Sequence, residues 1–391
     1  MFSQRTNWKL ARNRYTQAVE EARAGSRQIL DLTLSNPTRA GLRYEESEIL
    51  GALGSRLALD YDPQSKGLHE AREAVAAYYR EQHGVGTIGA EQIVLTTSTS
   101  EGYSFVFRLL CNAGDELLVP KPSYPLFEFL ADLQDVKLVP YPLIYDHGWQ
   151  IDFYSLAKAV TQRTRGVVVV HPNNPTGSFV AGAERDGLNA FCRERAQALI
   201  VDEVFLDYGI QVKSHASFTT NDAVLTFTLS GLSKISALPQ MKVAWVVTSG
   251  PEAEVAEAMG RLEIIADTYL SMNAPVQWAV PALLEQRKMI QSQLLERVRV
   301  NLGELDRQLA TQKSCERLCV DGGWYAVVRV PVTRSDEDLA IELVKEKSVL
   351  VHPGHFYDFP SDGYLVLSLI TPEKEFGEGV RRMQEHLRLF L

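Results

Sequence analysis

Along most of the chain, short and uniformly apolar runs alternate with longer stretches in which apolar residues recur at helical spacing. The runs are EQIVLTT, DELLVPK, VKLVPYPL, GVVVVHP, ALIVDEVF, VLTFTLSG and KVAWVVTSG. In residues 166–170 every position after the glycine is Val, so neither face offers a polar side to solvent. Strands of that kind lie in sheets covered by helices on both sides, and the alternation predicts a mostly parallel sheet. Near the start, Leu10, Tyr15, Val19 and Ala22 share one face of an amphipathic helix expected over residues 8–24 and ending at Gly25. Residues 275–312 contain only Pro275, Pro281 and Gly303 as breakers and read as long helices. Beyond them GGWYAVVRVP, SVLVHPG and GYLVLSLIT give three strands, with one helix between the first two and another at the end. The expected fold class is α/β: a large domain over residues 46–280 with a helix-covered, mostly parallel sheet, and a smaller α+β domain from residues 1–45 and 281–391.

Composition narrows the function. The chain has 391 residues, 45% of them apolar, which is enough for a substantial core. A net charge of −9 argues against a sequence-independent nucleic-acid binder, whose affinity would rest on Lys and Arg neutralising phosphates. Cys111, Cys192, Cys315 and Cys319 form no C-x-x-C pair and have no His at zinc spacing, so they read as reduced thiols and no metal is expected. The first residues lack the apolar run of a secretory signal, and no apolar stretch reaches ~18 residues, the length that spans a bilayer. A cytoplasmic, non-membrane protein acting on small molecules is expected.

Ligands of open parallel sheets bind beyond the carboxyl ends of the strands, which directs attention to the polar residues after each run. After IVLTT, Ser98 and Glu101 form a capping-box pattern that puts Thr99 and Ser100 at a helix start, a ready anion site. After VVVV, the segment HPNNPTG is a rigid turn that holds an Asn side chain at a fixed angle. After ALIV comes Asp202, a carboxylate whose desolvation calls for a cation or several donors. After VLTFTLS comes SGLSK, whose Lys234 becomes a candidate amine nucleophile once burial lowers its pKa. A helix cap, a loop and a surface lysine would account for each feature alone. Together, in the order Asn174, Asp202, Lys234, Lys242, they suit one ligand, pyridoxal 5'-phosphate: an aldehyde for the Lys, a pyridinium nitrogen for the carboxylate, a phenolic oxygen for the amide and a phosphate for the helix start.

The segments YDPQSKGLHEAREAVAAYY, TSTSEG, PKPSYPLF, HPNNPTG, VDEVF, SGLSK followed by LPQMK, and VLVHPGHFYDF resemble the class I/II aminotransferases of the aspartate-aminotransferase fold, fold type I of the pyridoxal-phosphate enzymes. The likeness runs from about Tyr61 to Ile370. It implies that Lys234 is the Schiff-base lysine and later the proton carrier, that Asp202 keeps the ring nitrogen protonated, that Asn174 donates to the 3′ oxygen and that Tyr124 stacks on the ring. It further implies that Thr99, Ser100, Ser233 and Lys242 hold the phosphate. Tyr61 would reach the phosphate of a neighbouring subunit, making the protein a homodimer with shared active sites. The bland alternative for Tyr61 and Tyr124 is a buried aromatic.

Three positions depart from the family pattern. Phe205 stands where a Tyr usually donates to the 3′ oxygen, and Lys242 stands where Arg is usual at the phosphate. Val366, two residues before Ser368, stands where an Arg usually grips the substrate carboxylate. Arg39 of SNPTRAGLRY is the candidate replacement, with a solvated surface Arg as the alternative and His352 or His355 next in line. The expected activity is transfer of an amino group between an amino donor and a 2-oxo acid. A lyase, decarboxylase or cyclase of the same fold, or a non-catalytic protein that binds the cofactor for regulation, remains open at this point.

Overall fold

In the computed structural model, residues 1–25, 27–125, 127–210 and 215–388 are described. The large sheet has eight strands: β1 (Ile93–Thr96), β2 (Glu116–Lys121), β3 (Lys137–Tyr145), β4 (Trp149–Ile151), β5 (Thr164–Val170), β6 (Ala198–Asp202), β7 (Thr226–Gly231) and β8 (Ala244–Ser249). Their spatial order is β1-β8-β7-β6-β5-β2-β3-β4. From β7 through β6, β5 and β2 to β3 the pairing is parallel, as the apolar runs predict. The edges differ: β8 runs antiparallel to both β1 and β7, and β4 antiparallel to β3. The reason at β8 is its connection. Between β7 and β8 there is a single-turn helix and a 3-10 turn, closed where the Leu232 N–H donates to the Val243 carbonyl at 3.0 Å, and no crossover helix that would return the chain in parallel.

Burial on both faces is visible residue by residue. Val168, Val170 and Ile200 pack with helices Thr99–Leu110 and Glu252–Tyr269, whereas Val167, Val169, Leu199 and Val201 pack on the other side with helix Gly182–Arg195. The period of two along a strand divides one apolar run between two layers.

A second apolar cluster gathers Tyr15, Leu32, helix Arg287–Leu309, strands Tyr325–Arg329 and Tyr364–Ser368, and helix Glu373–Leu387, together with Phe205 and Tyr208. Its sheet is antiparallel, ordered Glu316–Arg317, Tyr325–Arg329, Tyr364–Ser368, His352–Pro353. The N-terminal segment joins it through a parallel ladder between Leu30–Asp31 and Val349–Leu350. The first long helix begins at Arg14 rather than at residue 8, because Asn13 caps it by accepting from the Thr16 N–H at 2.7 Å. Trp8, ahead of that cap, docks on helix Phe127–Leu133: its indole donates to Asp132 at 2.8 Å and its ring meets Phe129 edge-on. The four cysteines are free thiols, and no helix among the described residues is long and apolar enough to cross a membrane.

The HPNNPTG turn is laced to the smaller unit. The Gly177 carbonyl accepts from the N–H groups of Asp321 (3.2 Å) and Gly322 (2.9 Å). Gly177 has φ +71°, and a Cβ there would collide with the Val320 side chain and the Gly322 carbonyl. Gly177→Ala therefore meets both backbone strain and a clash, and a loss of at least about 2 kcal/mol in the denaturant midpoint stability is expected. A variant as stable as wild type would show that this junction is loose.

Candidate active site

The register of the sheet brings the polar strand ends together. Asp202 closes β6, and its neighbour β7 ends at Gly231, one helical turn before Lys234. Asp202 is part-buried; its Oδ2 accepts from the Tyr103 hydroxyl at 3.0 Å and its Oδ1 from the Val204 N–H at 3.1 Å. Removal from water lifts its carboxyl to about 6, against the pull of those two bonds and of the Lys234 charge. Burial brings the Lys234 amine down to about 8, opposed by Asp202. The amine also lies 4.9 Å from the centre of the Trp324 ring and 5.5 Å from that of Phe205. An amine that deprotonates this readily is a nucleophile near neutral pH.

The anion corner is assembled by pairing. The first residue of β8, Ala244, is opposite both Thr96 at the end of β1 and Gly231 at the end of β7. Thr99 and Ser100, which open helix Thr99–Leu110, thus start beside the segment holding Ser233 and Lys242. Ser98 caps that helix, accepting from the Glu101 N–H at 3.2 Å. The second half of the expected capping box differs: Glu101 accepts from the N–H (2.6 Å) and hydroxyl (3.0 Å) of Thr97 instead of reaching Ser98. The helix start remains an anion site, because its first amides have no partner within the helix. Lys242 is exposed, in a left-handed backbone conformation with φ +56°.

After β5, Asn174 is buried, its Oδ1 has no partner, and its amide makes no hydrogen bond among the described residues. The neighbouring Asn173 takes the structural role, donating to the Pro122 carbonyl at 3.0 Å and to Thr176 at 2.9 Å. Tyr124 follows β2; it is 43% exposed rather than buried, and its hydroxyl is raised first by partial burial and then by the charge of Asp202. Tyr61 is 82% exposed, in a loop away from these strand ends, so the buried-aromatic alternative fails for it as well.

At the departures, Val366 is wholly buried between Val327 and His352 in the small sheet and presents no polar group. Phe205 packs on Trp324 with ring centres 5.2 Å apart. Tyr208 does not replace its missing hydroxyl, since its own donates to the Lys234 carbonyl at 2.6 Å. Burial holds His352 at about 4, hence uncharged at neutral pH, with Nδ1 3.0 Å from the Tyr357 hydroxyl; His355 is exposed. Arg39 is exposed and makes no ion pair among the described residues. Its segment is tethered at both ends: Ser368 donates to the Leu34 carbonyl, and the Tyr44 hydroxyl donates at 2.9 Å to the Ala237 carbonyl, three residues past Lys234. Tyr103 and Trp324 were not expected from the sequence. Tyr103 did carry a signal, lying one helical turn after Thr99 and so on the same face of its helix. Trp324 carried none, because it arrives from the other unit.

Fold and site define a pyridoxal-phosphate-dependent transferase of fold type I. Residues 48–376 match the family described as aminotransferase class I and II, and the chain belongs to that family. It is 25% identical over 374 residues to the glutamate-pyruvate aminotransferase AlaA of Haemophilus influenzae, covering 92% of this chain and 91% of that one. It is 26% identical over 384 residues to an alanine aminotransferase of Mycobacterium tuberculosis, with 95% and 88% covered. The structure of alanine aminotransferase from Pyrococcus furiosus superposes with a TM-score of 0.90 over all of both chains at 22% identity, a likeness of fold. The protein is an aminotransferase, an enzyme that uses pyridoxal phosphate.

The residues present fit that cofactor. Asn174 is buried, and its amide N–H groups, which make no bond among the described residues, are the donors a ring oxygen would use. A buried carboxylate lacking an adjoining ring cation, at Asp202, is costly until such a cation arrives. The cost is measurable without cofactor. The carboxyl is raised from 3.8 to about 6 on folding, so stability falls as pH rises from about 4 to 6 and the full penalty persists above that. Asp202→Asn keeps both partners, since the Tyr103 hydroxyl can accept as well as donate. In cofactor-free protein it is expected to gain up to about 3 kcal/mol over wild type at pH 8 and little at pH 4. An equal gain at both values would show that Asp202 is not desolvated.

Proposed function

We propose that Lys234 carries the cofactor and moves the proton, that Asp202 holds the proton on the ring nitrogen, and that an amino acid and a 2-oxo acid exchange an amino group there. The observation that carries this reading is the mutual burial of Asp202 and Lys234 at adjacent strand ends, a carboxyl raised to about 6 facing an amine lowered to about 8. The chemistry supplied by bound pyridoxal phosphate is an aldehyde that captures amines and a ring that accepts an electron pair. Asn174 would donate to the ring's 3′ oxygen, Tyr124 would cover one ring face, and Thr99, Ser100, Ser233 and Lys242 would hold the phosphate. The Lys234 amine, lowered by burial to about 8, would take up and return the proton at the substrate Cα. Phe205 and Trp324 keep water from that amine.

We further propose two domains, 46–280 and 1–45 with 281–391, each built on its own sheet, and a homodimer in the cytoplasm. Supporting the dimer, Leu50, Leu57, Leu59 and Tyr61 are all more than half exposed within one short stretch. In that assembly Tyr61 reaches the phosphate of the adjoining site. Alanine, glutamate and pyruvate are the first compounds to test, because the relatives carry those names. With Val366 apolar and His352 uncharged, the substrate carboxylate is assigned to Arg39, whose segment runs between the Ser368 and Lys234 anchors.

Lys234→Ala is expected to abolish the visible band and lower turnover by at least ~1000-fold, and borohydride to fix the cofactor on the wild-type peptide containing Lys234. Labelling of another lysine would overturn the assignment. Arg39→Ala is expected to raise KM for 2-oxo acids by ~100-fold with the cofactor band intact, the loss of a charge-assisted pair. Unchanged KM would remove Arg39 from the site.

A further inference from the structure

The turn that carries Lys234 is held from behind by side chains of three separate segments. Helix Leu232–Ile235 is a single turn, so its last carbonyls have little intrahelical bonding. Tyr208 donates to the carbonyl of Lys234 (2.6 Å), the Gln291 amide to that of Ile235 (3.0 Å), and Tyr44 to that of Ala237 (2.9 Å). The same Gln291 nitrogen lies 2.5 Å from Asp207 Oδ2. The other oxygen of Asp207 accepts from the Tyr78 hydroxyl at 3.0 Å and lies 2.9 Å from His83 Nε2. The Asp207 side chain has no exposure at all, and that of His83 has 8%.

A carboxylate buried this deeply is a poor way to add stability, since well-packed apolar residues serve as well. What it does here is geometric. With its acceptors saturated from two sides, Asp207 fixes the Gln291 amide, and that amide has its remaining hydrogen aimed at the backbone one residue beyond Lys234. Four rotatable methylenes separate that backbone from the reactive nitrogen, so a tilt of the turn is magnified at Nζ. Segment 202–208 thus serves the site at both ends: Asp202 faces the cofactor, while Asp207 and Tyr208 set the platform of the lysine.

We propose that Asp207, acting through Gln291, is a positioning residue for Lys234. The proposal rests on Lys234 being the lysine that carries the cofactor. Gln291→Met keeps the length of the side chain and deletes both hydrogen bonds; Asp207→Asn is the more severe companion. In holoenzyme, either variant is expected to lower kcat about 10- to 100-fold while KM for the amino donor stays within about threefold, because orientation rather than binding is lost. The pH midpoint of the visible band is expected to rise by at least about half a pH unit, as a loosened lysine gains access to water. Unchanged kcat per bound cofactor together with an unchanged midpoint in Gln291→Met would overturn the proposal, and so would a drop in Tm as the sole effect. Borohydride labelling separates the two readings: a label away from Lys234 defeats the cofactor assignment, whereas a label on Lys234 with unchanged kcat and midpoint defeats only the role of Asp207.

Discussion

The burial of the Asp202 carboxyl against the Lys234 amine is the constraint on which the rest of the site depends. Neither group is comfortable in its ionised form: desolvation raises the acid to about 6 and lowers the base to about 8. A surface pair of the same residues would keep its ordinary pKa values and have no use for a cofactor. The helical layers on both faces of the sheet create this environment by closing off everything except the carboxyl ends of the strands. The parallel pairing of β6 with β7 then makes the two groups neighbours. Stability is sacrificed at these strand ends, where an ionised carboxylate is costly until a cation lies beside it.

The C-terminal segments meet these strand ends through aromatic contact, a backbone hydrogen bond and an ion pair. Trp324 lies against the Lys234 amine, and the loop around Tyr357 is tied to the segment of Tyr124 where the Ser123 N–H donates to the Tyr357 carbonyl at 2.9 Å. Lys121 pairs with Asp358 at 2.9 Å across the same boundary. Together with the Gly177 junction, these ties set how far the aromatic wall of the small unit stands from the strand ends of the large one.

Two of the three departures from the family pattern share a direction. Phe205 and Val366 replace polar groups by apolar ones and are fully packed, Phe205 on Trp324 and Val366 inside the small sheet. The Trp324 indole on which Phe205 packs keeps its buried Nε1 without a hydrogen-bond partner, so an apolar ring there offers it none.

By itself the sequence determined the sheet layers, the candidate cofactor residues and the cofactor. Uniform Val runs have no amphipathic solution other than burial between two layers, and Asn174, Asp202, Lys234 and Lys242 each follow such a run or its turn. Its reading of the N-terminal helix extended too far, because Leu10, expected on the apolar face, is exposed ahead of the Asn13 cap. Only the tertiary structure decided that β8 runs antiparallel, that Glu101 satisfies Thr97, that Tyr208 is committed to the Lys234 carbonyl, and that Asp207, His83 and Gln291 meet at all. The physical reason is separation. A strand's composition reports what surrounds it on its two faces, but a hydrogen bond between residues 84 or more apart, as between Asp207 and Gln291, leaves no mark on the local pattern of either.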